Sequence, residues 1–277
     1  MTFKTIILGL ALLGASSLPA FAHGDKTAEA RYIANEGVLI TQGETKIMFD
    51  PLPLSGFGTY PEVPEETKAH IMAGTGAYAG IDAVFISHAH TDHFSAANMI
   101  AYMQTHTSVK LVAPQQALDS MQKDENWDAA LLERITAVDL EAGDKPQKIE
   151  FENISATAVR IPHAGWPAPA RAAVQNIVFR VTLGKSATVM HMGDADANPV
   201  HYKPHARHWN KTRTDTAFPP YWFFLSDAGN AILSNDINAG KAIGLHVPID
   251  VPQELKDSGA DYLSFFEEIR PVHEHDK

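Results

Sequence analysis

The run His88-Ala89-His90-Thr91-Asp92-His93 constrains this chain more than any other stretch. It places four side chains able to ligate a metal within six positions, directly after the apolar segment Ala83-Val84-Phe85-Ile86. There are 14 His in 277 residues, about one in twenty, so composition does not account for such a cluster. Imidazole and carboxylate donors together suit a borderline cation such as zinc. If the segment is extended, alternate residues face one side, so His88, His90 and Asp92 share a face. His93 then joins them as the chain turns into a helix capped by Ser95. A loop at the C-terminal end of a buried strand is where α/β folds place their chemistry. The run therefore points to a metal site and to metal-dependent hydrolysis.

Residues 1–22 read as a secretory signal peptide. Lys4 gives a positive start, Ile6 to Leu13 is a short apolar core, and Ala20-Phe21-Ala22 is a small-x-small cleavage site. The mature chain is then expected to run from His23 to Lys277 as a single domain, exported to the periplasm or secreted, with no stable membrane insertion after cleavage. The remaining length, about 255 residues, suffices for one sizeable core. The chain has no Cys, so no disulfide framework or lipoprotein attachment site is available. Its 22 Lys and Arg against 33 Asp and Glu give a net charge of −11. That balance argues against nucleic-acid binding, which wants a basic face, and against docking on an anionic membrane. A small anionic substrate remains compatible, because a local pocket charge can oppose the global one.

Short β-branched runs alternate with helix-like segments. Residues 37–40 and 46–49 predict a strand pair around the turn Gln42-Gly43-Glu44, ended by Asp50-Pro51. Further strands are expected over 83–87, 109–112, 135–138, 148–151, 154–161, 177–183, 187–192, 216–225 and 242–246. Helices are expected over 64–72, 95–103, 115–121, 127–133 and 253–269. Strand-strand runs are too dense for a purely parallel sheet. The expected class is α/β, or α+β in layers, with a mixed sheet pair covered by helices.

The signature His-x-His-x-Asp-His after an apolar strand resembles the metallo-β-lactamase superfamily. The family's other landmarks occur in order: His163 after Ala158-Val159-Arg160-Ile161, Gly193-Asp194 after Thr188-Val189-Met190-His191-Met192, and His246 after Ala242-Ile243-Gly244-Leu245. The resemblance spans about residues 31 to 250. It implies an αβ/βα four-layer sandwich of two mixed sheets. It also implies that His88, His90 and His163 hold one metal, that Asp92, His93 and His246 hold a second, and that Asp194 bridges both. The cofactor implied is two divalent ions, Zn2+ first and Mn2+ or Fe2+ as alternatives. Two such ions about 3.5 to 4 Å apart can hold one hydroxide between them and lower the pKa of water to around 7. Asp92 then serves as a ligand, with orientation of the hydroxide or proton transfer as a further role.

Position 90 is His where the family's diiron oxygen-reducing members differ, which favours hydrolysis over redox chemistry. The absence of Cys excludes lactamases that ligate the second metal through sulfur. The hairpin ending in Asp50-Pro51 is similar to the branch containing ascorbate-phosphate lactonase and N-acyl-phosphatidylethanolamine phospholipase D. Asp50 is a candidate support for a metal-ligating His, or a turn cap. Trp166, Tyr221 and Trp222 are candidate walls of a substrate pocket, with packing at the surface or in the core as the other reading. The basic stretch from His201 to Arg213 reads as a solvated insert or as a phosphate or carboxylate site. The expected activity is cleavage of a small ester, lactone or phosphodiester by a zinc hydrolase. β-Lactam hydrolysis and non-catalytic metal binding, the latter fed by His23, His273 and His275, are the rivals.

Overall fold

The computed structural model describes Met1, residues 27–184 and residues 187–272. The expected signal peptide, His23 and the terminal His273 and His275 lie outside the described residues. Among the described residues thirteen strands form two sheets. The first holds β1 (Glu29–Ala34), β2 (Gly37–Gln42), β3 (Thr45–Phe49), β4 (Ala83–Phe85), β5 (Lys110–Pro114) and β6 (Ile135–Val138) in sequence order, with the last strand on its outer edge. The second is a meander of β7 (Gln147–Phe151), β8 (Ile154–Arg160), β9 (Ile177–Leu183) and β10 (Ala187–His191), continued by β11 (Thr214–Phe218) and β12 (Ala239–Ala242). The closing strand β13 (Ile269–Pro271) pairs antiparallel with β1. Both sheets are mixed: β1 to β3 pair antiparallel and β3 to β6 parallel, while β7 to β10 pair antiparallel and β10 to β12 parallel.

Period-two alternation explains the layers. Along β3, Ile47 and Phe49 enter the core between the sheets while Met48 faces the opposite way. Along β9, Phe179 and Val181 enter that same core while Val178 faces outward. Phe85 of β4 and Phe179 of β9 meet across the sheets with ring centroids 5.3 Å apart. Burying each such ring is worth roughly 1.5–3 kcal/mol. The outer face of the first sheet is covered by α1 (Glu65–Ala73), α2 (Ala96–Thr105) and α3 (Gln115–Met121). The outer face of the second is covered by Tyr202, Trp209, Phe223 and Ile232 from short helical segments. The result is the expected four-layer α/β sandwich. No helix among the described residues is long and apolar enough to cross a membrane.

Four sequence expectations are corrected. The strand expected over 216–225 ends at Phe218, because Pro219 and Pro220 offer no backbone donor; Tyr221–Leu225 is a 3-10 helix. The strand expected over 242–246 stops at Ala242, and Gly244 and Leu245 make only isolated bridges. The closing helix expected over 253–269 stops at Ser258, where Gly259 takes φ +70° and caps it. The helix expected over 127–133 is a 3-10 segment, Ala129–Arg134, whose first free amide is capped by Asp128.

Candidate metal centre

The loop after β4 is held in place before any metal is considered. Ser95 Oγ accepts from Asn98 N at 3.3 Å and caps α2. The amides of His93 and Phe94 both donate to the His90 carbonyl, at 3.0 and 2.9 Å, which curls the loop back on itself. Thr91 O accepts from Leu54 N and Ser55 N, tying the loop to the segment after β3. On the other side, Ala164 N donates to Asp194 O at 2.7 Å, and His163 bridges Ala195, so the loops carrying two candidate ligands form one small ladder. Asn176 Oδ1 accepts from Asp194 N at 2.9 Å while Asn176 Nδ2 reaches the carbonyls of Ile161 and Met192. His246 sits in the left-handed region at φ +58°, held by its own amide donating to Asn35 O. Such a backbone costs of order 1–3 kcal/mol for a non-glycine residue and concentrates at functional sites.

The seven residues singled out from the sequence converge. Ligand atoms of His88, His90, His163 and Asp194 lie within 4.8 Å of one another, and so do those of Asp92, His93 and His246. Asp194 faces both sets. Its Oδ2 is 3.1 Å from His163 Nε2 and 3.9 Å from His88 Nε2. Its Oδ1 is 3.1 Å from His246 Nε2 and 3.3 Å from His93 Nε2. Asp92 Oδ2 lies 3.4 Å from His246 Nε2 and 3.7 Å from His93 Nε2. Ring orientation follows from the far nitrogens. His93 Nδ1 meets Asp50 Oδ2 at 2.9 Å, and His163 Nδ1 meets the Ala164 carbonyl at 2.8 Å, which leaves both Nε2 atoms turned inward. His93 Nε2, Asp194 Oδ1 and both ring nitrogens of His246 are buried with no hydrogen-bond partner. Buried polar atoms are normally satisfied, so His93 Nε2, His246 Nε2 and Asp194 Oδ1, left open and close to one another, fit a cation.

A beta-lactamase superfamily domain matches residues 45–223, well over half of the chain. The chain belongs to the metallo-β-lactamase superfamily. Solved structures share this superfamily fold. A metallo hydrolase, Igni18 from Ignicoccus hospitalis, aligns with a TM-score of 0.54 at 14% identity, over 88% of this chain and 98% of its own. A possible metal-dependent hydrolase from Veillonella parvula gives 0.57 at 13% identity, over 89% and 100%. CmlA, a diiron β-hydroxylase from Streptomyces venezuelae, gives 0.53 at 14% identity, over 90% of this chain and 55% of its own. No match was found among curated proteins. At these identities the likeness is one of fold, and the fold carries more than one metal chemistry.

The superfamily cluster is strongly polarised. Burial alone would lower His93, but Asp194 and Asp50 outweigh it and hold the ring well above its ordinary pKa. Burial likewise opposes protonation of His246, yet Asp194 and Asp92 push it up to about 9. Burial would raise Asp194, and His246 and His93 override it to keep the carboxylate ionised. His88 goes the other way: burial and the neighbouring His93 hold it neutral.

A cleft of about 540 Å³ opens onto the cluster, walled by Phe57, Tyr60, Ala164 and Trp222. Tyr60 meets His246 edge-on, with centroids 4.0 Å apart. Burial and the nearby Asp194 push its hydroxyl pKa up, so it stays a hydrogen-bond donor. Of the three expected walls, Trp222 lines the cleft, its Nε1 donating to Ala195 O. Trp166 stands outside it, 42% exposed with its ring against His201, and Tyr221 packs edge-on behind Trp222. The segment from His201 to Arg213 also stays off the cleft. It is no loose insert: Tyr202, His205 and Trp209 are buried, and Arg180 binds the carbonyls of His208, Trp209 and Thr212.

Sequence reasoning missed Asn35, Glu36, Asn176, His191, Phe57, Tyr60 and Arg171. Asn35 Nδ2 donates to Asp92 O at 2.9 Å, so the β1–β2 turn braces two ligand loops at once. Behind it His191, stacked on Phe49, lies 3.0 Å from both the carboxylate and the carbonyl of Glu36. With Asp50 these form a third buried set of acidic and imidazole groups. His191 alone carried a usable signal, its place three residues before Asp194 on an apolar strand.

Proposed function

We propose that this metallo-β-lactamase-fold hydrolase works with two divalent cations, zinc first, and is exported to act on a small ester, lactone or phosphodiester. One observation carries the reading: the two oxygens of Asp194 are divided between two imidazole-bearing sets, Oδ2 toward His163 and His88, Oδ1 toward His246 and His93. A storage site needs no shared carboxylate beside an open cleft. Bound ions would supply a water that ionises near neutral pH and an open position that polarises a carbonyl or phosphoryl oxygen.

The chain's own residues do the rest. His88, His90 and His163 would hold one ion, and Asp92, His93 and His246 the other. Burial would raise Asp92, but the His246 and His93 rings beside it outweigh that and keep it ionised, which suits ligation and the orientation of a water proton. Tyr60 offers a neutral donor at the mouth of the second set, and Phe57 with Trp222 keeps bulk water off one side.

The test has two arms. Protein purified without chelator should carry close to two metal equivalents per chain by elemental analysis, and Asp194→Asn should carry one or fewer. A screen of esters, lactones, phosphodiesters and a chromogenic β-lactam should give turnover that chelation abolishes and zinc restores. A metal-loaded protein inert across the screen would leave only metal binding.

A further inference from the structure

The superfamily cleft contains one arginine among its described lining residues, and nothing in the ligand set calls for it. Arg171 lies in α4 (Pro169–Ala172), the short turn after His163. Its Nη1 stands 3.5 Å from His163 Nε2, one of the inward-facing ligand atoms. The approach is built into the loop. Gly165 takes φ +89°, and a Cβ there would meet Arg171 Cγ at 3.2 Å, so the arginine stem lies across the bare glycine backbone. Arg31, Arg160 and Arg270 each have a carboxylate partner within 4.0 Å; among the described residues Arg171 has none. Arg134 and Arg180, which also lack a carboxylate partner among the described residues, are bound to backbone carbonyls, whereas the Arg171 guanidinium stands against His163.

A guanidinium is always charged and presents a planar fork of donors. Such a fork, held at the rim of the cleft beside His163, suits a bidentate carboxylate or phosphate. Of the other walls, Tyr60 and Trp222 pack against His246, in the other candidate ligand set. We propose that Arg171 is an oxyanion-binding residue of the substrate site. The substrate, on the hydrolase reading above, carries a carboxylate or phosphate apart from the bond that is cut. That anion lies over the His163 side, and the apolar part lies against Tyr60 and Trp222. The cleft volume of about 540 Å³ lies in the range of small-molecule sites.

Calorimetric titration of the zinc-loaded and the metal-free full chain separates this from the hydrolase reading, because it needs no turnover. The probes are succinate, phosphonoacetate and neutral succinamide. Arg171→Gln should weaken the favoured anion about tenfold or more, and Arg171→Lys less, while leaving succinamide unchanged. The stronger of the two anions names the headgroup. Arg171→Gln binding both anions as tightly as the parent, or losing succinamide equally, overturns the proposal. Arg171 is exposed, so its variants keep the parental melting temperature.

Discussion

Two residues show how little freedom the centre has. Gly193 takes φ +52°, and a Cβ there would come within 2.6 Å of both Asn176 Oδ1 and Ser87 Cβ. Neither neighbour can retreat: Asn176 holds the Asp194 amide, and Ser87 sits under the first ligand. Gly193→Ala should therefore cost about 1–3 kcal/mol and displace Asp194 with it. Urea unfolding would check the first part and metal stoichiometry the second; a variant with parental values in both contradicts this account. Asp50 is the other case. It fixes His93 by its Nδ1 and also accepts from Ser87 N at 2.7 Å. Asp50→Asn should lower metal affinity roughly 10- to 100-fold, read by competition with a chromophoric chelator. The candidate ligands were legible because four of them crowd positions 88–93 after an apolar strand, while His163, Asp194 and His246 were read from the resemblance to the family's motif order. Asn35, Asn176 and Arg171 were not legible, because nothing in their local sequence marks them; their positions come from loops distant in sequence meeting at one end of the sandwich.

At the scale of elements, the β1–β2 turn joins the sheets. Glu36 belongs to the first sheet's turn, His191 to β10 of the second, and both are fully buried. Burial raises Glu36 while His191 opposes it, and Glu36 in turn holds His191 up. A buried pair is costly to break and cheap to replace as a whole. His191→Phe keeps the stack on Phe49 but strands the Glu36 carboxylate, and should lose about 3–5 kcal/mol. Adding Glu36→Gln should recover most of that loss. A double-mutant cycle by chemical denaturation tests it, and additive losses would mean the pair is not coupled. The strands that form this junction were largely visible from alternation, β9 to the residue. Two of the four errors fell where single residues break a pattern: Pro219 and Pro220 inside an aromatic run, and Gly259 inside a helical one.

For the molecule as a whole, the proton balance of the centre links pH, metal and stability. His246 is raised from 6.5 to about 9, so its proton stabilises the metal-free fold fully below pH 6.5 and ceases to do so as pH rises toward 9. The group is buried, and the loss is on the order of 3 kcal/mol. On the acid side His88 and His90 are lowered by burial, so protonation of the unfolded chain below about pH 6.5 favours unfolding. Metal-free protein should thus be most stable near pH 6.5. Cations must displace the His93 and His246 protons, so uptake releases protons and affinity climbs up to about pH 9. Melting curves from pH 5 to 9, with and without zinc, check the argument. The chelated protein should lose stability between pH 6.5 and 9 while the zinc-loaded protein gains over the same range. Parallel curves would show that His93 and His246 do not exchange protons for metal.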